Sequence, residues 1–184
     1  MSFSDWTQGV QFAKALGLKV IGIDARDEGL SLTKEFGADV IIDARKDKAE
    51  VVKQVHAVTD GQGADSTVCI SDAPPAAGLA CAVTKMHGVM VQIAQPDVIE
   101  IPFQEIILRD IKIHGSLICS GEESRRMLEV IARHGITART VPFKGLEKIE
   151  ELVETVHGGK IQGKAVIVVD EEQIEHEKKL GAKF

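Results

Sequence analysis

"LKVIGIDARDEGLSLTKEFGADVIID", Leu18 to Asp43, decides the fold of this 184-residue chain. It holds two short runs, "LKVIGID" (Leu18 to Asp24) and "ADVIID" (Ala38 to Asp43), rich in β-branched residues and each ending in aspartate. Apolar runs of this length without polar alternation read as strands buried on both faces. Between them, "DEGLSLTKEFGAD" opens with acids and stops at Gly37, the pattern of a helix with a glycine C-cap. Strand, helix, strand in this order is the building unit of a parallel sheet.

The unit recurs along the chain. "DSTVCIS" (Asp65 to Ser71) and "GVMVQIA" (Gly88 to Ala94) are the next strands. "RKDKAEVVKQVHAVTDGQGAD" and "DAPPAAGLACAVTKMHG" are the helices between, the second predicted to run up to Gly88. A helix also precedes Leu18, and "PFQEIILRD" is a short one. "DIKIHGSLIC" alternates at Ile111, Lys112, Ile113 and His114, as an edge strand with one open face does. "EESRRMLEVIARHG" is an amphipathic helix. "LEKIEELVETVHGG" sets Leu146, Ile149, Leu152, Val153 and Val156 on one side. "GKAVIVVD" is the last strand, and the charged stretch Glu171 to Phe184 is a weak helix or a frayed tail. With no internal repeat or linker, residues 1–170 are expected to form one domain and 171–184 a tail. The fold class is α/β, a parallel sheet with helices on both faces.

Composition narrows the partners. Hydrophobic residues at 44% and charged residues at 27% describe a globular chain. A net charge of −6 with acids and bases interspersed argues against a nucleic-acid surface or an anionic membrane. Cys69, Cys81 and Cys119 lie apart in apolar runs and form no CxxC pair. That excludes a zinc knuckle and suggests buried free thiols in a reducing compartment. The opening "MSFSDW" lacks signal-peptide character, and no apolar run is long enough for a bilayer; the expected location is the cytoplasm.

Asp24 is the first candidate for chemistry. It ends a buried strand that follows a helix, where an acid in a dinucleotide-binding fold accepts hydrogen bonds from the adenosine ribose hydroxyls and its charge selects NAD over NADP. The alternative is that Asp24 only ends the strand and caps the next helix. Ser71 and Asp72, after "DSTVCIS", stand at a sheet edge where ligands bind, or else cap a helix. The six histidines (56, 87, 114, 134, 157 and 176) form no i, i+4 pair and read as surface or helix-end residues, not metal ligands. No nucleophile elbow or Ser, His, Asp set is present.

From "VQFAKALGLKVIGIDARDEGLSLTKEFGADVIIDARK" through "GQGADSTVCIS", "GVMVQIAQP" and "RDIKIHGSLI" to "VHGGKIQGKAVIVV", about Gly9 to Val169, the chain resembles the cofactor domain of the medium-chain, zinc-type alcohol dehydrogenases. The resemblance implies a Rossmann-like doubly wound parallel sheet, truncated here at its first strand, with NAD(H) binding and hydride transfer between an alcohol and an aldehyde or ketone. It places Asp24 on the ribose, and Ile93, Ala94 and Gln95 along the nicotinamide end. Lys164 stands where the family has an arginine reaching the phosphates, with the charge kept and the fork lost. The family's lysine after the ribose acid is Gly29 here, and Arg26 could reach the same region.

The departures are as specific. The family's glycine-rich turn falls over Met1 to Trp6, which hold no glycine; Ser2, Ser4 and Asp5 read as helix-capping residues, and Asp5 repels phosphate. The ligands of the catalytic and structural zinc sites have no counterpart, so no zinc is expected. Three roles follow: an NAD(H)-binding oxidoreductase domain with weak or lost cofactor affinity, a non-catalytic binding or regulatory module, or a cofactor-free enzyme acting on a small molecule in the old cleft. The edge strand Asp110 to Leu117 suggests a homodimer, as the resemblance does. Finally, the family's strand order 3-2-1-4-5-6 leaves a central slot between Leu18–Asp24 and Asp65–Ser71. Buried backbone groups there need partners, and Val166 to Val169 is the expected filling.

Overall fold

The computed structural model describes residues 4–158, 161 and 163–181, with side chains from Thr7 onward. The chain divides into two compact units, one ending at Ile136 and the other starting at Thr137. This differs from the expected single domain over 1–170 with a tail from 171.

In the first unit, helix α1 (Ser4–Ala15) leads into strand β1 (Ile21–Asp24), then α2 (Asp27–Glu35) and β2 (Val40–Asp43). β1 and β2 are parallel, with Ile23 opposite Ile42 and Asp24 opposite Asp43. Gly37 ends the turn after α2 at φ 89°, a left-handed conformation that glycine adopts freely. Lys14 of α1 holds Asp39 at 2.8 Å, and Asp39 also accepts the Val20 N–H at 2.7 Å. That fixes the turn into β2 and, through the lysine, depresses the Asp39 pKa. The Met1 to Phe3 part of the expected glycine-turn position lies outside the described residues, and α1 begins at Ser4.

Helix α3 (Lys48–Ala57) is capped by the Asp47 carboxylate, which accepts the Ala49 N–H at 3.0 Å. It covers one face of the pair β1–β2. Ile42, Val51, Val55 and Val83 are buried together there, with Ile21, Ile23 and Val40 against them. Strand β3 (Ala64–Cys69), helix α4 (Ala76–Val83), strand β4 (Thr84–Gln92), helix α5 (Phe103–Ile107) and strand β5 (Lys112–Gly115) follow. β3, β4 and β5 form a second parallel sheet in that order. Its core is Cys69, Ala77, Ala80, Cys81, Met90 and Ile111. Burial raises the thiol pKa of Cys69, and that of Cys81 to about 11. Cys119, expected buried, is exposed.

Helix α4 stops four residues before the expected end. Arg109 donates to the carbonyls of Cys81 (3.2 Å), Ala82 (3.1 Å) and Thr84, and pairs with Glu105. A guanidinium bound to those last carbonyls closes the helix, and the chain turns directly into β4. Four residues of β4, Lys85 to Gly88, then loop out opposite Asp65 before pairing resumes at Ser66 and Val89. His87 adopts φ 62° in that loop, and Gly88 fits because a Cβ would lie 2.9 Å from the Asp65 carbonyl. β5 is an edge strand as expected, with Ile111 buried, Ile113 half-buried, and Lys112 and His114 exposed. β3 is less enclosed than expected: Asp65, Ser66 and Val68 are exposed. Helix α6 (Gly121–His134) closes the unit with a Ser120–Glu123 capping box and Gly135 at φ 64°.

The second unit holds β6 (Thr140–Lys144), α7 (Ile149–His157), β7 (Lys164–Val168) and α8 (Glu171–Lys179). β6 and β7 pair in parallel, Thr140 with Lys164 through Lys144 with Val168. This overturns the expected placement of Val166 to Val169 between β1 and β3, and of the strand as buried on both faces: Val166 and Val169 are exposed. The strand before α7 is the nearer partner in sequence, and a strand–helix–strand crossover closes that pairing at low entropic cost. β6 had no reading from sequence because Pro142 breaks its run. Proline removes a ladder donor, which a two-stranded sheet made only of edges tolerates. Among the described residues β1 and β3 each keep one unpaired edge. The charged stretch from residue 171 is helical to Lys179, capped by Asp170 accepting the Gln173 N–H at 2.9 Å.

Candidate functional site

Asp24 sits at the carboxyl end of β1, the edge of a parallel sheet where ligands bind. Its side chain is 5% exposed, so its charge needs partners close by. Arg26 supplies three. Its backbone N–H donates to Oδ1 at 2.9 Å, its Nε to Oδ1 at 3.0 Å and its Nη2 to Oδ2 at 2.9 Å. The carboxylate in turn raises the Arg26 pKa, with smaller electrostatic contributions from Glu28 and Asp72.

Two glycines let the carboxylate sit there. A Cβ on Gly29, in the first turns of α2, would lie 2.0 Å from Asp24 Oδ2. One on Gly22 would lie 2.0 Å from Thr33 Cγ2. α2 therefore rests on β1 through glycine on both sides, and Thr33, buried, returns its hydroxyl to the Gly29 carbonyl at 2.7 Å. Gly29, which marks the loss of a lysine in the resemblance, is thus a packing requirement of the acid itself.

The next strand repeats the arrangement. Asp43 ends β2 and accepts the Arg45 N–H at 2.9 Å, Nε at 2.9 and 3.0 Å, and Nη2 at 2.7 Å. Arg45 also holds Asp27 at 2.8 Å. Arg45 holds the Asp43 pKa down to about 2. The sequence signal is the identity of Ile23-Asp24-Ala25-Arg26 and Ile42-Asp43-Ala44-Arg45, a four-residue repeat that pattern reading along the chain passes over.

The other candidates are placed as follows. Ile93 and Ala94 follow β4, and their N–H groups donate to the Cys69 carbonyl at 2.9 and 3.2 Å. The Gln92 side chain donates to the Ala94 carbonyl at 2.8 Å; Ala94 is buried and Gln95 exposed. Lys164 opens β7 in the second unit, exposed, its N–H donating to the Arg139 carbonyl at 2.8 Å. Ser71 and Asp72 do not cap α4, whose N-cap is Pro75; the Ser71 hydroxyl instead accepts the Ala73 N–H at 3.3 Å. Among the described residues no three His, Cys, Asp or Glu converge on a point that could hold a metal ion, and no helix is long and apolar enough to cross a membrane.

Parallel strands with intervening helices, and an acid at the carboxyl end of β1, define a Rossmann-like dinucleotide-type domain. The comparisons with known proteins agree. The zinc-binding dehydrogenase family model matches residues 7–133, and the chain belongs to that family. It is 30% identical over 164 residues to an alcohol dehydrogenase of Geobacillus stearothermophilus, covering 89% of this chain and 47% of that protein. It is likewise 30% identical over 165 residues to alcohol dehydrogenase 1 of Emericella nidulans, covering 88% and 46%. The chain spans about half the length of these relatives. In fold it is similar to the alcohol dehydrogenase of Aeropyrum pernix, with a TM-score of 0.76, 23% identity, and coverage of 86% of this chain and 45% of that one.

Proposed function

We propose that this chain is the NAD(H)-binding domain of an alcohol dehydrogenase-like oxidoreductase. The observation that carries the reading is the buried carboxylate of Asp24 at the end of β1. The residues fit the adenosine end of the cofactor: a carboxylate accepts both ribose hydroxyls, and its charge, with Glu28 and Asp72 near, opposes a 2′-phosphate. The bound dinucleotide supplies hydride chemistry. The chain's own residues orient it, with Asp24 at the ribose and Ile93 to Gln95 along the nicotinamide end. Zinc ligands for the alcohol are proposed to come from outside these residues, and the two buried, free thiols of Cys69 and Cys81 suit a reducing cytoplasm. Titration with NADH and NADPH tests this: saturable binding of NADH is expected, and no binding of either overturns it.

The same reading carries a partner. The free edge of β5, with exposed Leu117 and Ile118 just beyond it, is proposed to pair with a second copy of the chain. Sedimentation velocity should give a dimer that Ile113→Pro converts to monomer. A wild-type monomer at high concentration contradicts it.

A further inference from the structure

We propose that Arg26 is a gate on the ribose site: its guanidinium and a ribose diol compete for the same Asp24 carboxylate, so the arginine limits the affinity of this chain for NAD(H). The proposal rests on the NAD(H) reading above. A carboxylate offers about four acceptor directions, and Arg26 occupies three of them. A vicinal diol needs two. The fork of Arg26 and the pair of hydroxyls therefore exclude each other, and the arginine must withdraw at least one side-chain hydrogen bond before both hydroxyls can bind. Burial makes the competition sharper, because α2 closes on the carboxylate through Gly29 and leaves no second approach on that side.

The neighbouring strand carries the same clasp, so its cause is local sequence. Asp43 and Arg45 make the same backbone, Nε and Nη2 bonds two residues apart at the end of β2. An aspartate at a strand end, a small alanine and an arginine whose N–H already points back suffice. Arg26 also has somewhere to go. It is 42% exposed, and Glu28 and Asp72 attract its charge.

The sign of one substitution separates a gate from a ligand contact. If Arg26 gripped the dinucleotide, removing it would weaken binding; as a gate, removing it strengthens binding. Calorimetric titration with NADH of the wild type, Arg26→Gln, Arg26→Lys and Arg45→Gln reads this directly. Arg26→Gln is expected to bind NADH about tenfold more tightly. Arg26→Lys, which keeps the charge and loses the fork, should gain less, and covers the case in which the glutamine variant does not fold. Arg45→Gln should match the wild type. The Arg26 Nε–H resonance, protected from exchange in the free chain, should lose that protection at saturating NADH. Saturable wild-type binding with equal or weaker binding by the Arg26 variants, or retained Nε–H protection, overturns the gate alone. No saturable binding by any of the four proteins overturns the NAD(H) reading, and the gate with it.

Discussion

The ends of β1 and β2 carry the same four residues, Ile-Asp-Ala-Arg, in register, and each aspartate accepts from the backbone N–H, Nε and Nη2 of its arginine, yet they differ in setting. The Asp24 side chain is 5% exposed and the Asp43 side chain 29%. Asp24 is enclosed by α2 at Gly29, whereas Asp43 shares Arg45 with the exposed Asp27. Local sequence thus builds the clasp, and tertiary packing decides its worth. A clasp in water contributes little, because solvent competes for every bond. A buried one is costly to break and can hold a charge where a ligand needs it.

The largest expected effect breaks the difference in burial itself. Gly29→Ala puts a methyl where the Asp24 carboxylate lies, so α2 must lift from β1 or the carboxylate must turn out. A loss of about 1–3 kcal/mol in stability is expected, measured by urea denaturation; an unchanged midpoint would show that α2 does not rest on the acid. Asp24→Ala comes next. It removes the buried carboxylate that accepts three Arg26 hydrogen bonds, at a cost of about 1–2 kcal/mol. Asp43→Ala should cost clearly less. Equal costs would show that burial does not distinguish the two clasps.

The smallest effect is in acid. The Asp43 pKa is depressed in the folded chain to about 2, from the 3.8 of a free carboxylate. Its contribution is therefore complete above about pH 4 and disappears as the pH falls towards 2. Arg45→Gln removes the cause of the shift, so its stability difference from the wild type should narrow over that window. A constant difference from pH 5 to pH 2 would remove the ion pair as its source.

The sequence exposed the parts of this molecule whose cause is local. β1 and β2 were legible because each is a short β-branched run ending in aspartate, and α2 because acids open it and Gly37 closes it. The parts with distant causes were hidden. α4 ends at Val83 because Arg109, remote in sequence, takes its carbonyls. Pro142 masks β6 in the sequence, and the partner of β7 is hidden with it. The site divides in the same way. Asp24 was legible as a strand-end acid, whereas its closure by Arg26 and its contact with Gly29 depend on how α2 lies against the strand.

The central claim is that Asp24 is the acid that reads the ribose. The most direct test is the ratio of NADPH to NADH dissociation constants in the wild type and in Asp24→Asn, which keeps the shape and removes the charge. The wild type should favour NADH by about tenfold or more, and the ratio should fall towards one in the variant. A ratio that is the same in both proteins would contradict the account.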